Sequence, residues 1–168
     1  INTSQDLDEF MQDKQYPVML KAAKGGYDGF GNFIAKYSED ALTALSKFKR
    51  KDTDLVIAEE MMVFKKEVAI TVARSTTGEI KVYPVVDTIQ VESICHYVVA
   101  PALINVDLAS KIKQFAISAM KTLDAVGVFS FEFFIMENAD VFLNESAPRP
   151  HNSAHYTMDG CETSQFEN

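Results

Sequence analysis

Cysteine is nearly absent from this sequence: Cys95 and Cys161 are the only two, and their spacing matches no metal-binding pattern. That leaves no room for a disulfide framework or a zinc finger, and it fits free thiols in a reducing, cytoplasmic setting. Positive charge is also scarce, with 16 lysines and arginines against 24 aspartates and glutamates, a net charge of −8. This balance argues against nonspecific nucleic-acid binding, and an anionic ligand would need a locally basic pocket. No apolar run approaches the roughly 20 residues of a membrane span. Signal peptide, internal repeat and low-complexity linker are all lacking. The sequence opens on Ile1 and stops at Asn168 without a clear terminal element, so a piece of a longer protein is expected.

What is there is a chain of 168 residues, 47% hydrophobic, enough for one ordinary domain or two small lobes sharing a cleft. Asp6 to Phe10 read as the end of a helix, and Tyr16 to Lys21 as a short strand running into the glycine-rich segment Gly25 to Gly31. Ser38 to Phe48 carries Ala41, Leu42, Leu45 and Phe48 at helical spacing behind Ser38 as a candidate N-cap. Leu55 to Glu60 is a further strand. Glu67 to Arg74 and Glu79 to Val86 form a hairpin around Ser75-Thr-Thr-Gly78. Asp107 to Asp124 is the strongest helix, with Leu108, Ile112, Phe115, Ala116, Ala119, Met120 and Leu123 on one apolar face and Asp107 as its cap. The order predicts an α+β chain with mostly antiparallel sheets. It breaks near Met61 to Phe64, into a small lobe of residues 14–62 and a larger one of 63–168.

The densest chemistry lies near the end. Val128 to Met136 and Val141 to Glu145 are rich in strand formers, and Glu137-Asn-Ala-Asp140 reads as the turn between them. A turn centred between Asn138 and Ala139 pairs Glu132 directly with Glu145, with Cβ atoms about 5 Å apart. Phe129, Phe131, Phe133 and Ile135 share the other face and should be core. Two anions so placed repel unless one is protonated or a cation joins them, and magnesium bridging to phosphate oxygens would satisfy that demand. The same spacing suits the acid and nucleophile of a glycosidase. Lys21 and the loop Gly25-Gly-Tyr-Asp-Gly-Phe-Gly31 favour the metal–phosphate reading, because glycines let backbone N–H groups approach phosphate closely. That loop matches neither the Walker nor the dinucleotide fingerprint, and by itself it is merely a turn. Glu59, Glu60, Met61 and Met62, at a strand end, could hold a flat base or be a surface acidic pair beside core methionines. Cys95 and His96 read as structural.

In order along the chain come Gly-Gly-Tyr-Asp-Gly-x-Gly, Ala-Glu-Glu with Glu67 eight residues after Glu59, and Val-Tyr-Pro-Val-Val. Ile-Cys-His, Ala-Pro-Ala and Gly-Val-Phe follow, then Asn-Glu-x-Ala-Pro-Arg-Pro-His-Asn-Ser-x-His and Thr-Ser-Gln-Phe-Glu. Together they resemble the ATP-grasp domain of the 5-(carboxyamino)imidazole ribonucleotide synthetases, the ATPase subunit of phosphoribosylaminoimidazole carboxylase. The resemblance implies two α+β lobes clasping ATP, and ATP-dependent carboxylation of aminoimidazole ribonucleotide with bicarbonate through carboxyphosphate, in purine biosynthesis. It implies that Lys21 contacts ATP phosphates and that Gly26, Tyr27, Asp28, Gly29, Phe30, Gly31 and Asn32 form a loop over them. Glu59, Glu60, Met61 and Met62 would hold adenine, Glu67 the ribose, and Gln90 would stand at a nucleotide contact. Glu132 and Glu145 would ligate Mg2+ with Asn144 beside them, while Tyr27, Asp28, Arg149 and His151 would line the bicarbonate and ribonucleotide site. Family members commonly dimerise and carry N- and C-terminal domains, and a fused mutase domain is compatible with the pattern.

The sequence departs from that pattern at four positions. Phe30 stands where a Lys or Arg is usual, Gln90 where a His is usual, Ser146 replaces an apolar residue, and Ala154 replaces a Gly. Phe30 and Gln90 favour the alternative of a catalytically degenerate nucleotide-binding or scaffolding module.

Overall fold

A computed structural model of the chain describes residues 1–24, 31–49, 51, 54–91 and 94–168. They fall into two compact units, one of Ile1–Val63 with Ile94, the other of Phe64–Val91 with Cys95–Asn168.

In the first unit, β1 (Val18–Ala22) is the centre of a three-stranded antiparallel sheet, flanked by β2 (Asn32–Ala35) and β3 (Val56–Glu60). Strand alternation divides β1 between two faces. Val18 and Leu20 enter a core with Leu7, Ala35, Ala41, Ala44, Leu45 and Val56, while Lys21 falls on the opposite face. Two helices supply the rest of that core: α1 (Ser4–Phe10) and α2 (Ser38–Phe48). The first is a whole helix, not the end of one. Thr3 Oγ1 accepts the Asp6 N–H at 3.1 Å, and the Asp6 carboxylate accepts the Thr3 N–H at 3.1 Å, a reciprocal capping box. In α2 the expected Ser38 cap is replaced. Tyr37 occupies the cap position without a side-chain bond, and Asp40 accepts the Lys36 N–H. Leu42 is exposed, so the buried stripe is Ala41, Ala44 and Leu45.

The second unit is built on a sheet ordered β7-β6-β4-β8-β9, with β5 paired to β4. The strands are β4 (Lys66–Arg74), β5 (Ile80–Val82), β6 (Val86–Val91), β7 (Ile94–Val99), β8 (Gly127–Ile135) and β9 (Val141–Ala147). Every pairing described is antiparallel. The strand expected from Glu79 to Val86 is interrupted at Tyr83-Pro-Val85, because proline cannot donate to the ladder. The chain resumes as β6, and neither β6 nor β7 was foreseen. Helix α3 (Val106–Thr122) packs Ile112, Ala116 and Met120 on Val68, Ile70, Val72, Phe131, Phe133 and Ile135. Its cap is Asn105, whose side chain accepts the Leu108 N–H at 2.7 Å, and not Asp107. Arginine 74 and Asp124, at 2.8 Å, fasten the end of β4 to the turn after α3.

The opposite face of this sheet is covered as well. Ala69, Thr71, Ser130 and Glu132 are buried there, and Thr71 and Ser130 share a hydrogen bond of 2.7 Å. The C-terminal stretch provides the cover. A 3-10 turn, Asn152–Ala154, packs on β4, and Ser153, Ala154, Thr157 and Gln165 are buried. A short helix, α4 (Thr157–Gly160), follows it.

The β8–β9 hairpin closes through a three-residue loop rather than the expected two-residue centre. Met136 N–H bonds to Asp140 O at 2.9 Å, and Ala139 takes φ +66°. This is the left-handed position that such loops commonly fill with glycine. Ala139→Gly is therefore expected to raise the urea midpoint, stabilising the chain by about 1 kcal/mol as the left-handed cost is relieved. An unchanged or lowered midpoint would contradict that account of the turn.

Candidate functional site

Register places the acidic groups. Near the turn, Ile135 pairs with Val141 and Phe133 with Leu143, one residue away from the expected register. A bulge at Asn144 then absorbs the difference, so that Glu132 pairs with Glu145, Phe131 with Ser146 and Ser130 with Ala147. The expected carboxylate pair thus forms by a route the turn alone did not indicate. On the other side of β8, Glu132 pairs with Ala69 and Phe134 with Glu67, which puts Glu67 diagonal to Glu132 on the same face.

Burial separates the two partners. The Glu132 side chain is 9% exposed, the Glu145 side chain 54%. Burial, then the Glu67 charge, then the Glu145 charge push the Glu132 carboxyl up to about 8. Cys95, on β7, is pushed up by burial and by the same Glu132 and Glu67 charges, so it belongs to this electrostatic environment and not merely to the scaffold. Over the pair lies the His151 ring, with Nδ1 3.7 Å from Glu132 Oε1 and Nε2 3.8 Å from Glu145 Oε1. These separations exceed hydrogen-bond length. Nδ1 instead meets Ser153, accepting from its N–H at 3.4 Å and lying 3.0 Å from its Oγ.

Among the described residues, no three His, Cys, Asp or Glu side chains converge as a self-sufficient metal site. Two carboxylates in register, one of them driven toward its neutral form by burial and by its acidic neighbours, still fit a hard cation. Magnesium takes one or two protein carboxylates and completes its shell with water and substrate phosphate. The donor chemistry here is of that kind.

The remaining predicted residues are distributed as follows. In the first unit, Lys21 Nζ bonds Glu59 Oε2 at 2.7 Å across the β1–β3 diagonal. Glu60 pairs with Lys14 at 3.2 Å, and Met61 and Met62 follow the end of β3. Gly31, at φ +90°, accepts the Ala22 N–H at 2.8 Å, and Asn32 pairs with Lys21. In the second unit, Gln90 is on β6 and Asn144 is the bulge residue. Arg149 donates to Pro150 O at 3.0 Å and lines a cavity of about 290 Å³ with Gly127, Val128 and Phe166. Gly26, Tyr27, Asp28, Gly29 and Phe30 lie outside the described residues. Sequence reasoning missed the nearness of Glu67 to Glu132, which only the β4–β8 register reveals. It also missed Ser153, Thr157 and Gln165 beneath His151.

Comparison with known proteins adds the following. A family model described as "ATP-grasp domain" matches residues 1–166. A phosphoribosylaminoimidazole carboxylase of Candida albicans is 47% identical over 99% of this chain and 29% of its own length. A carboxyaminoimidazole ribonucleotide synthase of Aspergillus clavatus, solved with ATP, superposes with a TM-score of 0.90 at 38% identity, over 99% of this chain and 43% of that one. A solved synthase of the same organism, in complex with ADP and 5-aminoimidazole ribonucleotide, gives 0.84 at 36% identity, over 99% and 42%. The chain thus spans less than half the length of each of these relatives.

The raised Glu132 carboxyl makes a pH prediction for the metal-free chain. Its folded value, about 8, lies above its ordinary 4.5, so the folded state binds the extra proton between those limits. Stability is then fully present below about pH 4.5 and is lost as pH rises through about 8. Urea titrations in a chelator should show that decline. In Glu132→Gln the decline should flatten, leaving the variant on the order of a few kcal/mol more stable than wild type at pH 8.5. Parallel pH profiles for the two proteins would refute this electrostatic picture.

Proposed function

The chain belongs to the ATP-grasp family, and from that premise we propose that it is the Mg-ATP-binding part of a carbon–nitrogen ligase of purine biosynthesis. The reaction is the ATP-dependent carboxylation of aminoimidazole ribonucleotide with bicarbonate. Bicarbonate oxygen attacks the γ-phosphorus, the bond to ADP breaks, and carboxyphosphate forms. The exocyclic amine then attacks the carboxyl carbon, releasing phosphate and a proton. The reaction is placed in the cytoplasm. The observation that carries the reading is the in-register pair of a buried Glu132 and an exposed Glu145, supported by the likeness to synthases solved with ATP and with ADP and ribonucleotide.

Glu132 and Glu145 would hold magnesium, with Asn144 beside them, and the ion would supply positive charge to the phosphate oxygens. Phosphoryl transfer asks mainly for positioning and charge neutralisation. Lys21 is assigned to the phosphates. Its partner Glu59 is half-exposed, and surface ion pairs contribute only about 0–1 kcal/mol, so an arriving phosphate can compete for the ammonium. Glu59, Glu60, Met61 and Met62 are assigned to adenine, Glu67 to the ribose hydroxyls and Gln90 to a weaker nucleotide contact. Gly26, Tyr27, Asp28, Gly29, Phe30, Gly31 and Asn32 are assigned to the phosphates, and Tyr27, Asp28, Arg149 and His151 to bicarbonate and ribonucleotide. A second reading, a nucleotide-binding module without turnover, is favoured by Phe30 and Gln90. ADP formation by the full-length protein that requires both bicarbonate and ribonucleotide separates the two readings. Activity that appears only with Phe30→Lys would support the second.

For the chain itself, Mg-ATP at about a hundred times its Kd should contribute about 2.7 kcal/mol. That raises Tm by roughly 5–10 °C for a chain of this size. Glu145→Gln should abolish the rise, as should a chelator. A wild-type chain whose Tm ignores Mg-ATP would contradict the assignment.

A further inference from the structure

Gln165 is 1% exposed, and both bonds made by its side chain go to one residue. The His151 N–H donates to Gln165 Oε1 at 2.8 Å, and Gln165 Nε2 donates to the His151 carbonyl at 3.1 Å. A buried primary amide is costly unless bonded. Here the two bonds grip the main chain on both sides of the His151 Cα, and so fix the backbone from which the imidazole projects. Gln165 is itself anchored: its N–H donates to Thr157 Oγ1 at 2.9 Å, and the Thr157 hydroxyl donates to Ala154 O at 2.7 Å. At the other end of the chain of contacts, the Ser153 N–H donates into His151 Nδ1. With Nδ1 turned to Ser153, Nε2 is the nitrogen that faces Glu145.

We propose that Gln165 is a positioning residue for the metal–nucleotide site, holding the His151 imidazole across the Glu132 and Glu145 carboxylates. The inference rests on the assignment of those carboxylates to magnesium. Gln165 touches neither carboxylate in this arrangement and acts only through His151.

The test uses the 168-residue chain labelled with 15N-histidine, first free of metal and nucleotide, then titrated with Mg-ATP. Wild-type His151 should give two well-separated ring-nitrogen shifts, one for Nδ1 and one for Nε2. Gln165→Met should bring the two shifts together and weaken Mg-ATP binding about tenfold, the usual consequence of losing a partner behind a metal site. Thr157→Val removes the anchor of the Gln165 main chain and neither bond to His151. It should lower Tm while leaving the ring shifts unchanged and the affinity within about twofold, far short of that tenfold loss. Should Gln165→Met fail to fold, Gln165→Glu, which keeps the acceptor and loses the donor, carries the same expectation. An unchanged His151 ring spectrum in a folded Gln165 variant, or the same change in Thr157→Val, overturns the proposal. A wild-type chain indifferent to Mg-ATP overturns the nucleotide reading instead, and the ring spectrum still decides the role of Gln165.

Discussion

The burial of one carboxylate, with two others beside it on the same sheet face, is the constraint around which the second unit is arranged. Glu132 sits at the middle of β8, with Glu145 opposite it on β9 and Glu67 diagonal to it on β4. Antiparallel pairing gives these side chains one face, and the C-terminal stretch covers the middle of that face, leaving Glu132 buried and Glu145 exposed. Taking an anion out of water is expensive, and the protein meets the cost by raising the Glu132 carboxyl to about 8. A group so displaced in the middle of a sheet is held under electrostatic tension that a divalent cation would release.

What keeps the carboxylates in place is the other side of the same strand. Phe131 and Phe133 are fully buried against Ile112, Ala116 and Met120 of α3, and the edge-to-face contact of Phe115 with Phe133, 5.4 Å between centroids, adds to the clamp. Because strand side chains alternate, every residue that deepens this core also fixes the angle at which Glu132 leaves the sheet. The bulge at Asn144 is the second control. It moves Glu145 into register with Glu132, whereas the uncorrected turn would have paired Glu132 with Asn144. Bulges near functional groups re-aim side chains in this way.

The β8–β9 pair was legible in the sequence because two strand-forming runs flank one short polar segment. Its register was reached from the wrong turn: a two-residue centre and a three-residue loop plus one bulge end on the same pairing for Glu132. Helix α3 was read within two residues, since its 3.6-residue period runs for several turns, but its cap was misread because Asn105 and Asp107 are equally good side-chain acceptors. Strands β6 and β7 went unread. Their residues face both ways without clean alternation, and proline at 84 hides where one strand stops and the next begins. Lys21 and Glu59 were each singled out, but their contact depends on the β1–β3 register. The same limit explains Glu67 and Gln165, whose partners are set by long-range pairing and by the fold-back of the C-terminal stretch. The motif order carried the family, which composition and periodicity alone did not.

The central claim is that Glu132 and Glu145 hold a divalent ion together with nucleotide phosphate. Its most direct test is crystallographic: the chain crystallised with Mn2+ in place of magnesium and a non-hydrolysable ATP analogue, with the metal located by its anomalous signal. The account predicts one metal peak about 2.1 Å from an oxygen of each glutamate, with phosphate oxygens completing the shell. A nucleotide bound with its metal touching neither carboxylate would contradict it.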